Sequence, residues 1–337
     1  MPDMDLSVII VNYKSADLLL DCIHSIIQET AAIAYEIIVV DNNSGDNSRE
    51  IITRTYPQVR WLQLDNNAGF ARANNAGMRI AEGGIILLLN PDTIVLDHAL
   101  DKCVQRFRAS AHAACGVQLL NPDGTPQISG NFFMRGGLNH LLPLPYWGGF
   151  LRGLGYALKT KVPNVKQAQA EQEVDWINGA FLMVKQSTIA QAGLMDEDFF
   201  LYAEETEWCS RIKRRGTLAI YGDLKVTHLQ GETANATFET SGKGYYDLYS
   251  RKGLQLMVSN HLRVRKQFGS GWFLVLLLNY SLAVPVFFIA SFFDNLFNGR
   301  SPFAYWHRAG QLAANVWRTW MLAPVIIRNK PHFYKML

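Results

Sequence analysis

Through the first third of the chain, short aliphatic runs alternate with segments in which apolar residues recur every three or four positions. Leu6 to Val11, Glu36 to Val40, Val59 to Leu64 and Ile85 to Leu89 are β-branched or aliphatic runs bounded by polar turn residues, the pattern of strands buried on both faces of a parallel sheet. Between the first two, Leu19, Cys22, Ile23, Ile26 and Ile27 follow Ser15 at helical spacing. Ser44 stands where it can cap a second helix running through Ile51, and a third helix is expected over Asn74 to Ala81. Repeats of strand and helix close as right-handed crossovers in a doubly wound α/β sheet, whose ligand crevice lies beyond the carboxyl ends of the strands. Two strand ends carry acids, Asp41 in IIVVDNNS and Asp92 in ILLLNPDT. A loop acid alone can simply cap a helix; two at neighbouring strand ends point to a site.

The pattern breaks at residues 131–174, which mix Gly, Pro and aromatic residues with Arg135, Arg152, Lys159, Lys161 and Lys166. A long functional loop is expected there. A strand resumes in WINGAFLMV, and in FFLYAEETEWCSRIKRRG the acids Glu204, Glu205 and Glu207 open a helix that ends at Gly216, where its positive end favours them. Thr217 to Tyr221 and Leu224 to Thr227 read as short strands leading to His228.

With 337 residues, 49% of them hydrophobic and 18% charged, the chain has a core of one large or two ordinary domains and is not disordered. Its net charge of +3 hides an asymmetry. Residues 261–337 hold nine Lys/Arg, one acid (Asp294) and four of the eight Trp, a net of +8; the rest of the chain is −5. Two jobs are implied, with a domain boundary expected between 260 and 261. The four cysteines (22, 103, 115, 209) form no spaced pair and suggest buried thiols in a reducing compartment. The N-terminus has acids where a signal peptide needs bases, so no targeting segment is expected and the body should be cytosolic.

Several chemistries are disfavoured. The first strand-to-helix turn, VNYKSAD, lacks the glycines of a dinucleotide fold, and no Walker A sequence, G-x-S-x-G elbow or H-E-x-x-H occurs. Nucleic-acid binding is disfavoured because the positive charge lies beside an apolar run. What survives is Asp41, Asn90, Asp92, the glutamate cluster and His228. A departing diphosphate needs a hard divalent cation, which Asp92 and His228 could hold, and Glu204 or Glu205 could deprotonate an incoming hydroxyl.

The ordered strings SVIIVNY, IIVVDNNS, NNAGFARANNAG, LLLNPDT, INGAFLMV, MDEDFFLYAEETEWCSRIKRRG and VTHLQGE resemble glycosyltransferase family 2, the inverting GT-A group, and especially its bacterial rhamnosyltransferase-like members, over about residues 5–235. The resemblance implies a GT-A fold with a nucleotide-sugar site at Asn12, Tyr13 and Asp41, Asp41 on the base, and with the loop from Asn67 through Gly69 to Arg72 along the nucleotide. It places Asn90 and Asp92 at the family's D-x-D positions, Asp92 and His228 on Mg²⁺ or Mn²⁺, and Gly179 and Ala180 near donor sugar and acceptor. The family's Glu-Asp pair falls on Glu204 and Glu205, with Glu205 as the favoured base one methylene longer than the usual Asp. The implied activity is transfer of a sugar, dTDP-L-rhamnose or a UDP-hexose being the donor, to a hydroxyl of a lipid-linked saccharide. A non-catalytic scaffold that binds nucleotide sugar or glycan is the alternative of another class. Within 131–174, taken as an acceptor-side loop, Arg152, Lys159, Lys161 and Lys166 would meet the phosphate of a lipid-linked acceptor.

In the tail, Trp272 to Phe293 is 22 residues without a charge, about 33 Å as a helix and enough for a hydrocarbon core of about 30 Å. A crossing would put the six bases that follow Phe293 outside, against the positive-inside tendency. Downstream, Trp306, Gly310, Ala313, Trp317, Trp320 and Pro324 recur at helical spacing opposite Arg308, Gln311, Asn315 and Arg318, an interfacial pattern. The expectation is attachment to the cytoplasmic face of the inner membrane by a shallow or hairpin segment; a homodimer is left open.

Overall fold

The computed structural model describes residues 4–160, 162–229 and 247–336. The chain divides into two compact units, the first built from residues 4–132, 164–200 and 204–229 and the second from 133–160, 162–163, 201–203 and 247–336.

Unit 1 opens with the alternation that the apolar runs dictate: β1 (Leu6–Asn12), α1 (Ala16–Glu29), β2 (Tyr35–Asp41), α2 (Ser48–Thr55), β3 (Arg60–Gln63), α3 (Gly69–Ile80) and β4 (Ile85–Leu89). β5 (Thr93–Val95), α4 (Ala99–Ala109), β6 (Ala114–Leu120) and β7 (Gly130–Asn131) follow. The main sheet runs β3-β2-β1-β4-β11-β6-β12-β5, where β11 is Phe181–Lys185 and β12 is Leu218–His228. Its first four strands are parallel, the edge strand β3 being only half-buried, whereas β11 is antiparallel to both β4 and β6. Period-2 side-chain direction sorts β1 onto two cores. Leu6, Val8 and Ile10 pack with Leu19 and Ile23 of α1 and Phe107 of α4, while Ile9 and Val11 share the other face with Ala71 and Ala73 of α3 and with Trp208. Register aligns Asn12 with Asp41 and Asp41 with Gln63, so three polar residues end in a row at the carboxyl edge.

Several expectations need correction. Ser44 caps nothing: α2 starts at Ser48 after Asn47, and Ser44 is bound to Asp41 instead. α3 begins at Gly69, five residues before the apolar period becomes visible at Asn74, because its first turn is anchored by Phe70 N–H to the Phe200 carbonyl (2.8 Å). The described residues of 131–174 are not one loop without regular elements. They hold a 3-10 helix (Arg135–Leu141), α5 (Trp147–Ala157), β8 (Asn164–Val165) and β9 (Gln172–Val174), the latter pairing with β12. WINGAFLMV splits into β10 (Trp176–Ile177) and β11, and the two strands expected before His228 are one strand, β12, with a bulge between Tyr221 and Lys225. α6 (Gln186–Ala192) and α7 (Glu204–Ile212) complete unit 1.

Unit 2 adds α8 (Arg251–Phe268), α9 (Ser270–Phe297) and α10 (Trp306–Arg328) to the 3-10 helix and α5. Its own core gathers Leu141 and Leu144 with Met257, Val264, Tyr280 and Leu312. A boundary at 260 would cut through α8, a continuous helix with residues buried on all sides; the step in charge near 261 marks a change in composition, not the edge of a compact unit. Nor is Asn315 part of an exposed polar stripe on α10. It is buried and donates to the carbonyls of Leu248 (3.0 Å) and Ser250 (3.1 Å), while Trp320 is half-buried, its indole N–H on Ser281 Oγ (2.8 Å).

Candidate active site

At the carboxyl edge of the parallel strands, Asp41 is buried and its carboxylate is held from four sides. Oδ1 accepts from Asn12 Nδ2 (2.7 Å) and Ser44 Oγ (2.6 Å), Oδ2 from Ser44 N–H (3.0 Å) and Gln63 Nε2 (2.7 Å). Asn12 is fully buried and spent on this network, and Tyr13 beside it is half-buried with the Lys14 ammonium 5.5 Å from its ring centroid. Asp41 nonetheless lines a cleft of about 440 Å³ with Asn43, Gly45, Arg49, Trp61 and Gln63. Gln63 was not singled out from sequence, although the β2–β3 register that puts it opposite Asp41 was implicit in the two runs.

The segment from Asn67 to Arg72 is the entry and first turn of α3, not an extended loop. Asn67 Oδ1 accepts from Asn42 Nδ2 (3.0 Å) and Gly69 N–H (3.1 Å), and Arg72 Nε donates to the Glu197 carbonyl (3.0 Å). Gly69 has φ +81° and lies so close to Phe200 that a Cβ would stand 2.3 Å from its carbonyl oxygen, so a side chain is excluded on both counts.

Asn90 and Asp92 leave β4 toward β5, and His228 closes β12, which pairs with β5 through His228 and Thr93. These strands bring the three together. His228 Nε2 lies 3.3 Å from Asp92 Oδ1 and 3.5 Å from Asn90 Nδ2, and both Asp92 and His228 are buried. The histidine's tautomer follows from Gln127, which sequence reasoning missed. The Gln127 amide nitrogen donates to the backbone carbonyl of His228 (2.6 Å) and to Asn121 Oδ1 (2.8 Å), so its Oε1 must face His228 Nδ1 (2.9 Å) as acceptor. In the neutral ring Nδ1 therefore carries the proton and Nε2 presents a lone pair. Asp92 Oδ1 is buried and makes no hydrogen bond. A carboxylate oxygen and an imidazole lone pair facing one another are a donor set for a divalent cation. Among the described residues no group of three or more His, Cys, Asp or Glu side chains converges.

Glu204 and Glu205 are both buried in the first turn of α7, where the helix end favours their charge. Gly179 lies beside Glu205: a Cβ there would stand at ordinary contact distance, 3.4 Å, from Glu205 Cγ. Next to it, buried Ala180 accepts at its carbonyl from Asn90 N–H (3.1 Å), which ties the turn under Glu205 to the strand end bearing Asp92. Glu207 is accounted for structurally by Arg211 (2.8 Å). The four cysteines are free and buried; burial pushes the thiols of Cys22, beside Asn90 and Thr93, and Cys209 up to about 12, so neither is a nucleophile. Of the bases assigned to one acceptor loop, exposed Arg152 and Lys159 belong to unit 2 and Lys166 to unit 1, while Lys161 lies outside the described residues.

Residues 7–156 match the family described as Glycosyl transferase family 2. The chain is 28% identical over 254 residues to the low-salt glycan biosynthesis hexosyltransferase Agl10 of Haloferax volcanii, covering 73% of this chain and 74% of that one. It is 27% identical over 203 residues to the N-acetylglucosaminyl-diphospho-decaprenol L-rhamnosyltransferase of Mycobacterium tuberculosis, covering 55% and 63% of the two chains. Among solved structures, the mannosyltransferase PcManGT of Pyrobaculum calidifontis in complex with GDP-Man and Mn²⁺ superposes with a TM-score of 0.52 at 15% identity, over 94% of this chain and 86% of that one. That likeness concerns the fold, which is GT-A.

Proposed function

Residues 7–156 match glycosyltransferase family 2, and from this match we propose that the chain is a member of that family and transfers a sugar, with inversion, from a nucleoside-diphosphate donor to a hydroxyl of a lipid-linked saccharide. The observation that carries the reading is the pairing of the unclaimed Asp92 Oδ1 with the His228 Nε2 lone pair at the carboxyl edge of the sheet. The nucleotide base enters the cleft at Asp41 and Gln63. Asp92 and His228 would hold Mg²⁺ or Mn²⁺, which when bound neutralises charge on a departing diphosphate. Glu205, backed onto Gly179, takes the proton of the acceptor hydroxyl as that oxygen bonds to the anomeric carbon and the bond from this carbon to the diphosphate oxygen breaks. L-rhamnose from dTDP-L-rhamnose and a polyprenyl-diphosphate acceptor are proposed on the strength of the mycobacterial relative's name.

The test is turnover with a polyprenyl-diphosphate-linked sugar and a panel of dTDP-, UDP- and GDP-sugars, reading release of nucleoside diphosphate. Glu205→Gln should keep donor affinity and lose about 10²–10⁴ in turnover, with Glu204→Gln less damaging. The reverse ranking moves the base to Glu204. A UDP-hexose as sole donor replaces the rhamnosyl reading, release of pyrophosphate makes the chain a nucleotidyltransferase, and no turnover with any donor leaves a scaffold.

A further inference from the structure

Exposed large apolar side chains are unevenly shared. Of twenty among the described residues, seventeen lie in unit 2 and three (Ile80, Leu96, Ile128) in unit 1. They concentrate on α9. One side of this helix, through Phe273, Leu277, Tyr280, Ala283 and Phe287, is buried in the unit's core. The other exposes Leu274, Leu278, Leu282, Ile289, Phe293 and Phe297, with no polar residue among its exposed positions before Asn298.

The polar groups of α9 are turned to its neighbours. Tyr280 Oη donates to the His140 carbonyl (3.0 Å), Asn279 Oδ1 accepts from the Trp147 indole (3.2 Å), Ser281 Oγ accepts from the Trp320 indole (2.8 Å) and Asp294 accepts from Tyr146 Oη (2.8 Å). A helix facing water has no need to hide its polar groups; one facing hydrocarbon does. Charge narrows the choice of partner. The sole acid of residues 261–337 is that engaged Asp294, while Arg300, Arg308, Arg318 and Arg328 are exposed alongside Trp306 and Trp317. Two copies meeting through such a basic rim would repel, whereas anionic headgroups attract it. α5, bonded to α9 through Trp147, adds exposed Phe150 and Leu154.

From these observations we infer that the outer face of α9 enters one leaflet of an anionic bilayer, with the α10 tryptophans and arginines at headgroup level, and does not cross it. At 28 residues α9 measures about 42 Å and is long enough to cross, but a crossing helix needs lipid or protein around it at every depth, and α9 is fastened along one side from Tyr280 to Asp294 by bonds to the His140 carbonyl, the Trp320 indole and the Tyr146 hydroxyl. Attachment goes beyond the sugar-transfer reading and is tested without it.

The experiment is flotation of the full chain with vesicles of phosphatidylcholine alone or mixed equally with phosphatidylglycerol. Binding to the mixed vesicles, weak binding to the neutral ones, and at least about a tenfold loss for L278E/L282E are expected, with Ile80→Glu in unit 1 as a neutral control. Both substituted leucines are exposed, and an unchanged melting temperature verifies folding. Should that variant not fold, R308E/R318E should by itself abolish the preference for anionic lipid. Equal flotation of both variants and the parent overturns the inference, as does a vesicle-free dimer that L278E/L282E converts to monomer. Modification of Lys335→Cys by an impermeant reagent outside intact cells would establish a crossing instead.

Discussion

In the metal-ligand role proposed for His228, a neighbour fixes which nitrogen of the neutral ring is bare. Gln127 cannot rotate its amide without breaking a 2.6 Å bond to the His228 carbonyl, so its oxygen stays on Nδ1 and the lone pair stays on Nε2, toward Asp92. Residues that orient a ligating imidazole typically contribute about 10–100-fold to metal affinity. Gln127→Leu should therefore weaken Mn²⁺ binding by about that factor, measured by electron paramagnetic resonance of free Mn²⁺ at saturating nucleoside diphosphate, and a change smaller than about threefold would mean that the imidazole is oriented by packing alone. Nothing in the sequence marks Gln127, 101 positions away from its partner; it could be found only once β6 and β12 were known to pair. Asp92 and His228, in contrast, are legible because acids and histidines at strand ends are few.

At the scale of elements, legibility follows the period of the apolar pattern. β1, β2 and β4 are recognisable to within a residue or so because both faces are largely buried and each carries a run of at least four aliphatic residues. α5 is not, since four of its eleven residues from Trp147 to Ala157 are glycine and its order derives from the tryptophan and tyrosine that pin it to α9. Ser44 illustrates a different failure. A serine before a helix suggests a cap, but a carboxylate at hydrogen-bond distance claims it. Elements are also joined by ion pairs that titrate. Arg108 at the end of α4 holds the Asp5 carboxyl below the usual range, and Arg106 does the same for Asp223 on β12. Because these folded-state values lie below the unfolded ones, their stabilisation is complete above about pH 5 and is lost as pH falls through the folded values. The urea midpoint should thus drop between about pH 5 and about pH 3, and Arg108→Gln should lower it at the upper pH while shallowing the drop. Parallel curves for parent and variant would show the Asp5 pair to be inert.

At the scale of the molecule, every proposed donor-site residue, from Asn12 to His228, lies in unit 1, while seventeen of the twenty exposed large apolar side chains among the described residues lie in unit 2. The charge step of the sequence, −5 before residue 261 and +8 from there on, does not follow this division, because it falls inside α8. Ligand linkage should respect the same division, since a ligand stabilises only what folds to bind it, by about 2.7 kcal/mol at a hundredfold excess over its dissociation constant. A nucleoside diphosphate with Mn²⁺ should raise the melting temperature of the full chain, and comparison of dTDP, UDP and GDP should rank the bases that fit beside Asp41 and Gln63. Asp92→Asn should erase the increment due to Mn²⁺ and keep the smaller shift due to nucleotide alone, because the cleft at Asp41 does not use Asp92. L278E/L282E should leave both increments intact, as its side chains stand on the other unit. If instead Asp92→Asn melts like the parent under every ligand, the cation is held elsewhere, and if no nucleotide moves the transition with or without Mn²⁺, the cleft is not a nucleotide site.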